Sequence, residues 1–142
     1  MGIRLLKIAV VYMQIAVAAG LIMGMLHQFH APVHAYLGLL GWASLSLAGL
    51  IYHFYPEGAQ TRLANVHFWL HNAGLPVFMV GLFLLISGNA LAEPFVRIGA
   101  VTTFAGLLML TINVLRTVRR ADVPAPTPAV PHEFAAHLGE WK

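Results

Sequence analysis

Long apolar runs alternate with short polar connections along this chain, and the pattern predicts four membrane-spanning helices. The runs cover about residues 8–26, 34–55, 66–87 and 98–115. Each is about 18 to 22 residues long, which is enough to cross about 30 Å of hydrocarbon at about 1.5 Å per residue. Backbone groups that face lipid must form hydrogen bonds within their own segment, so all four runs are predicted to be helical. The expected fold class is an all-α membrane protein with four transmembrane helices.

Composition supports this class. The chain is 59% hydrophobic and 9% charged, and it has no Asp, Glu, Lys or Arg between Lys7 and Glu57. The first run is longer than a usual signal-peptide core and lacks a cleavage site of small residues, so we interpret it as a permanent span. The chain contains no cysteine, which excludes disulfides, thiolate metal sites and covalently attached c-type heme.

Basic residues flank the spans unevenly and predict the orientation. One group precedes the first span, lies in the second connection or follows the fourth span: Arg4, Lys7, Arg62, Arg116, Arg119 and Arg120. Only Arg97 lies on the other side. The positive-inside rule therefore predicts cytoplasmic N and C termini, in a multi-pass protein of the bacterial cytoplasmic (inner) membrane. The net charge of +3 reflects this orientation and does not indicate nucleic-acid binding.

Domain organisation follows from the same pattern. Residues 1–120 are predicted to form one membrane domain, and connections of roughly 7 to 12 residues favour antiparallel packing of sequential helices. Residues 121–142 begin with a proline-rich segment and are predicted to be an extended cytoplasmic tail. The sequence contains no glycine-rich phosphate loop and no Ser-His-Asp arrangement, so no catalytic residue is predicted.

His34 is the strongest candidate for a ligand-binding residue, because an ionisable ring at the edge of a membrane is energetically costly unless it binds a ligand. It opens the second apolar run, and at about 100° per residue several mainly small residues share its direction. They are Gly38, Gly41, Leu45, Ala48 and Tyr52. A flat macrocycle such as heme could lie on the Gly38 and Gly41 surface with His34 as its iron ligand. Small residues at this spacing equally serve close helix packing, so both interpretations remain open.

Five further histidines could contribute to a cofactor site. His27 and His30, at the outer end of the first span, are candidates for a second axial ligand, or they are solvated loop residues. His67 and His71 lie four residues apart at the start of the third span, and His53 ends the second span. These three could form an inner metal or heme site, or they could lie in the membrane interface.

Depth separates the strongest candidates from one another. The second helix is predicted to run from outside to inside, so His34 would lie near the outer surface and His71 near the inner one. A single heme is therefore not expected to bridge them within one chain. Asn72 and Asn113 lie within apolar runs and are expected to need hydrogen-bonding partners inside the bundle.

The segments 33–56 and 66–70 resemble the heme-ligand region of subunit I of heme-copper oxidases, with the cbb-type oxidases and nitric oxide reductases most similar. In that family a His-x-His pair opens the tenth helix, a Tyr-x-x-Pro motif ends it, and His-Phe-Trp-Leu begins the eleventh. His34 matches the first histidine of the pair, which is the proximal ligand of the high-spin heme in the family. Tyr36 stands where the second histidine, the low-spin heme ligand, would be. His67 matches the His-Phe-Trp histidine, which is not a heme ligand in the family.

This resemblance covers about residues 10–115 and implies that the chain corresponds to one four-helix arc of a twelve-helix subunit. The family's copper ligands lie on helices that this chain does not contain, and the second heme ligand is replaced. The resemblance therefore does not imply oxygen reduction by the chain alone. A homotrimer would rebuild the twelve-helix outline, with His34 of each chain opposite His27 or His30 of a neighbour.

We therefore expect a heme-b-binding integral membrane protein related to heme-copper oxidase subunit I, with one heme b per chain. Its expected role is electron transfer or binding of a diatomic gas, as a homotrimer in contact with a redox partner or a larger oxidase subunit. One alternative is a cofactor-free accessory or assembly subunit of a respiratory oxidase or nitric oxide reductase. Another is a two-heme transmembrane b-type cytochrome that uses the outer histidines for one heme and His53, His67 and His71 for the other.

Overall fold

Helices account for every regular element in the part of the chain that the structure describes. A computed structural model of the protein describes residues 1–25 and 31–118. The elements are α1 (Gly2–Met25), α2 (Ala31–Tyr36), a π-helical segment (Leu37–Ala43), α3 (Ser44–Phe54), α4 (Pro56–Ala59), α5 (Arg62–Ile86), a 3₁₀ turn (Ala90–Ala92) and α6 (Glu93–Thr117). Four stretches are long and apolar enough to cross a membrane: Gly2–Met25, Ala31–Phe54, Arg62–Ile86 and Ala90–Thr117. The predicted fold class of four transmembrane helices is confirmed.

The helices begin earlier than the apolar runs do. α1 starts at Gly2 and includes two basic residues in its first turns, because long basic side chains can reach the interface while their stems lie along the helix. α5 starts at Arg62 because the hydroxyl of Thr61 accepts a hydrogen bond of 3.1 Å from the backbone N–H of Ala64. This cap satisfies one of the unpaired donors of the first turn.

Sequential spans pack against one another. α1 lies against the second span, and α5 packs against α6 over much of its length. One buried cluster lies toward α4, at what we call the α4 end of the bundle: Leu5, Ala9, Leu45, Ala48, Tyr52 and Ala64. A second lies toward α2, at the α2 end: Ala16, Val33, Leu37, Leu75 and Met79. The second and third spans therefore join two helix pairs into one bundle.

Glycines allow close approach between α5 and α6. A Cβ atom built at Gly74 would lie 2.7 Å from the backbone nitrogen of Thr103, and one built at Gly106 would lie 2.9 Å from that of His71. Two more glycines lie in this seam between α5 and α6: Gly81, seven residues after Gly74, and Gly99, seven residues before Gly106. Small residues at such positions let two helix backbones meet, which is a common basis of helix association in membranes.

The second span is interrupted by the π-helical segment Leu37–Ala43. At its end the backbone N–H of Ser44 bonds to the carbonyl of Leu39, five residues earlier, and the Ser44 hydroxyl donates to the same carbonyl at 2.9 Å. The wider turns change the direction of the following side chains relative to His34. The regular 100° spacing used for the sequence prediction therefore does not apply across this segment.

Candidate functional site

His34 lies at the α2 end with its ring against α1. Its Nδ1 donates a hydrogen bond of 2.8 Å to the backbone carbonyl of Ala16. The lack of a side chain at Gly20 makes room for the ring, and the ring atoms nearest to that glycine are Cε1, Nδ1 and Cγ. Because a carbonyl can only accept, Nδ1 carries a proton, and in the neutral ring the lone pair is on Nε2. His34 is exposed, and Nε2 has no hydrogen-bond partner among the described residues.

The surface beside His34 is open at Gly38 and closed at Gly41. A Cβ atom built at Gly38 would meet nothing within 4 Å, whereas one built at Gly41 would lie 2.7 Å from the ring of Tyr12. α1 fills the space beside Gly41 with the ring of Tyr12, so the packing gives no support to the prediction that Gly41 helps to admit a porphyrin. The remaining residues of the predicted stripe are buried against neighbouring helices: Leu45, Ala48 and Tyr52.

Tyr36 is directed toward α5. Its ring packs on that of Phe78, with ring centroids 5.4 Å apart and an interplanar angle of 51°. The phenol is still 41% exposed. Tyr36 therefore lines the same exposed end of the bundle as His34. His27 and His30, the predicted second axial ligands, lie outside the described residues.

His34 and Gly38 fit one axial position and one wall of a heme site. Histidines that bind iron or other metals usually donate their second N–H to a carbonyl or carboxylate, which fixes the tautomer and the ring orientation. The bond from His34 to Ala16 has this form. The exposed face of the site must be covered by lipid or by another chain.

A second group of histidines is fully buried between the spans. His67 and His71 are each 0% exposed, and their ring centroids are 5.4 Å apart at an interplanar angle of 70°. His67 Nδ1 donates to the carbonyl of Gly106 at 2.9 Å, and His71 Nε2 donates to the carbonyl of Leu40 at 3.0 Å. The other nitrogens, His67 Nε2 and His71 Nδ1, have no hydrogen-bond partner within residues 1–25 and 31–118. We call these two residues the buried histidine pair.

His71 lies deeper in the bundle than predicted. It is nine residues into α5, about 14 Å along the helix, and its bond to Leu40 places it level with the π-helical segment. The prediction that His71 lies near the inner surface is wrong, because α5 starts at Arg62 and not at the first residue of the apolar run. His53 is exposed, with its ring beside Phe54. The described residues form no group of three or more potential metal ligands, so the predicted inner cluster of three histidines is not assembled.

A polar network around Asn113 closes the α4 end. Asn113 is 0% exposed and accepts a hydrogen bond of 2.8 Å from the hydroxyl of Thr61. Its amide donates to the carbonyl of Gly58 at 2.8 Å and to the hydroxyl of Tyr52 at 3.3 Å. The expectation that Asn113 has partners inside the bundle is confirmed, whereas Asn72 donates within its own helix.

Sequence reasoning missed two residues that shape these sites. Tyr12 occupies the space beside Gly41, and an aromatic residue in an apolar run carries no signal for this contact. Gly106 provides both the room for His71 and the carbonyl for His67. The seven-residue spacing of glycines in the third and fourth spans was a signal for that seam.

These features define an integral membrane protein of four helical spans with histidines both at one end and inside the bundle. The chain is similar to the Cbb3-type cytochrome c oxidase subunit CcoN1 of Stutzerimonas stutzeri. The two are 26% identical over 118 aligned positions, and the match covers 62% of this chain and 25% of the relative. The chain thus spans about a quarter of the length of the curated relative that it matches. No protein-family model and no solved structure matches the chain. The partial resemblance to heme-copper oxidase subunit I is confirmed as weak similarity.

Proposed function

We propose that this protein binds one heme b per chain, with Nε2 of His34 as the axial ligand to the iron. The observation that carries the proposal is the bond from His34 Nδ1 to the Ala16 carbonyl, because in the neutral ring it directs the lone pair to Nε2 of an exposed residue. The similarity to a cytochrome oxidase subunit favours heme over other metal groups. The open space at Gly38 provides room for a flat ring beside the imidazole.

Heme b bound at this position would supply one-electron transfer or reversible binding of a diatomic gas. The residues of the chain orient and tune it. The Ala16 carbonyl holds the imidazole in one tautomer and makes Nε2 a stronger donor to the metal. Cover by lipid or by a neighbouring chain would exclude water from the exposed side, and this would set the balance between the oxidation states.

We further propose that a second copy of the chain completes the site, as in a homotrimer of twelve helices. The site has one wall in a single chain, because His34 and Tyr36 are both exposed at the α2 end. A neighbouring chain would cover the exposed heme face, and its His27 or His30 would supply the second axial ligand. In this proposal the protein lies in a bacterial cytoplasmic membrane with both termini in the cytoplasm, and a redox partner or larger oxidase subunit exchanges electrons with it.

The contact between Tyr12 and Gly41 favours a second candidate function, a cofactor-free accessory or assembly subunit. That contact removes part of the surface expected for a porphyrin, and the exposed α2 end would then dock against a larger oxidase or nitric oxide reductase subunit. A two-heme cytochrome has less support. α5 and α6 approach so closely at Gly106 that no macrocycle fits between them beside the buried histidine pair.

The test is the reduced-minus-oxidised absorption spectrum and heme content of protein purified in mild detergent from heme-replete cells. We expect about one heme b per chain. His34→Ala should abolish or shift the heme bands, whereas His53→Ala, which changes an exposed histidine at the α4 end, should leave them unchanged. A folded wild-type protein without colour would overturn the proposal. Loss of the bands in His53→Ala but not in His34→Ala would place the heme elsewhere.

A further inference from the structure

The buried histidine pair presents two lone pairs to the interior of the bundle. The carbonyls of Gly106 and Leu40 can only accept hydrogen bonds, so His67 is protonated at Nδ1 and His71 at Nε2. In the neutral rings, His67 Nε2 and His71 Nδ1 are therefore acceptors. Two acceptors cannot form a hydrogen bond with each other, and no other group in the described part of the chain bonds to either atom.

A buried polar atom without a partner is costly, especially where water is excluded. Both residues are 0% exposed, and the seam around Gly106 holds α5 and α6 in close contact. Tyr52 of the second span lies beside the pair, with its ring centroid 6.3 Å from that of His67. Its hydroxyl accepts a bond from Asn113 and makes no hydrogen bond with His67 Nε2. The two unpartnered nitrogens therefore favour a bound group that accepts their lone pairs, such as a metal cation.

We propose that His67 Nε2 and His71 Nδ1 bind one copper(I) ion, at a site separate from His34. The choice of metal follows from charge and ligand type. The one carboxylate in the described spans, Glu93, is exposed at the start of α6 and paired with Arg97, so none is available to balance a divalent ion at the pair. The cost of burying an ion rises steeply with its charge. Imidazole suits zinc, copper, iron and nickel, and among these copper has a stable monovalent ion that accepts few ligands.

The pair is preorganised for such an ion. The two residues are one helical turn apart on the same face of α5, and each ring is held by a backbone carbonyl from a different neighbouring element. Gly106 belongs to α6 and Leu40 to the π-helical segment, so three spans fix the two rings. This is the outer-shell arrangement that usually accompanies histidine ligands of metals. The inference does not depend on heme at His34.

The experiment uses the purified full-length protein in mild detergent without oxygen and measures copper(I) transfer from a chromophoric chelator. We expect the wild-type protein to remove about one equivalent of copper(I) from the chelator. His67→Asn and His71→Gln should each weaken binding at least about tenfold, because each amide nitrogen takes the place of the ring nitrogen that donates to the carbonyl, whereas the imidazole lone pair is lost. His53→Gln removes an exposed histidine and should bind copper(I) like the wild type. Excess zinc(II) should not displace the ion.

X-ray absorption at the copper edge of the loaded wild-type protein gives a result that does not depend on the folding of any variant. We expect a shell of two nitrogen ligands. A sulfur shell would assign the copper to methionines and overturn the proposal. Failure of the wild-type protein to take copper(I) from the chelator would also overturn it and would leave a buried water as the occupant. Equal copper(I) binding by the wild type, His67→Asn and His71→Gln would contradict it as well.

Discussion

Gly106→Ala should destabilise the bundle although it adds only one methyl group. The new Cβ atom would lie 2.9 Å from the backbone nitrogen of His71, 3.2 Å from its Cα atom and 3.3 Å from its Cβ atom. Two of these three atoms belong to the backbone of a long helix, so the methyl group cannot be accommodated by a change of rotamer. α6 must instead move away from α5 along the seam.

The size of the effect can be worked out from three contributions. Overpacking of a tight contact costs about 1–3 kcal/mol. Displacement of α6 weakens the bond between His67 Nδ1 and the Gly106 carbonyl, and hydrogen bonds of this kind contribute on average about 0.6 kcal/mol in membranes. The better helix propensity of alanine offsets up to about 1 kcal/mol. We therefore expect a net loss of about 0.5–2.5 kcal/mol in the free energy of unfolding.

Equilibrium unfolding in mixed micelles of mild detergent and dodecyl sulfate, followed by tryptophan fluorescence, measures this loss. The matched control is Gly24→Ala in α1, where the added Cβ atom would meet nothing within 4 Å. That variant should be as stable as the wild type or slightly more stable, since only helix propensity changes. If Gly106→Ala and Gly24→Ala have the same free energy of unfolding, α5 and α6 do not meet at Gly106 and the account of the seam is incorrect.

Two further substitutions test polar contacts by the same unfolding measurement. Asn113→Leu removes the three hydrogen bonds of the Asn113 side chain and should lower the free energy of unfolding by about 2 kcal/mol. The control Asn72→Leu removes a bond within one helix and should lower it by about 0.5 kcal/mol. Equal losses in the two variants would refute the network. Arg97→Gln breaks the ion pair with Glu93, in which the Arg97 side chain is 76% exposed and the Glu93 side chain 54% exposed. The free energy of unfolding should change by less than about 0.5 kcal/mol. A loss above about 1 kcal/mol would show that this pair is not an ordinary surface contact.

The four spans could be predicted because hydrocarbon imposes a length and a composition on any helix that crosses it. Their starts could not, because they depend on local contacts such as the bond from the Ala64 N–H to the Thr61 hydroxyl. The π-helical segment was also missed, since its residues are ordinary helix formers for a membrane. That segment altered the relative directions of His34 and Gly41, on which the predicted porphyrin surface depended.

The residues of the candidate sites could be predicted from the sequence, but their hydrogen-bonding and packing partners could not. An apolar run that contains Asn113 requires a partner for its amide, and the sequence does not say that Tyr52 and Gly58 provide it. The i, i+4 spacing placed His67 and His71 together, but their carbonyl partners belong to other elements and depend on helix packing. The same reason explains why Tyr12, on a neighbouring helix, was not expected beside Gly41.

The most direct test of the central claim is the heme content of the His34→Ala variant beside that of the wild type, both purified from heme-replete cells and both shown to be folded. The account predicts about one heme b per wild-type chain and little or none in the variant, because Nε2 of His34 is the proposed ligand. Equal heme content and identical reduced-minus-oxidised spectra in the two proteins would contradict it.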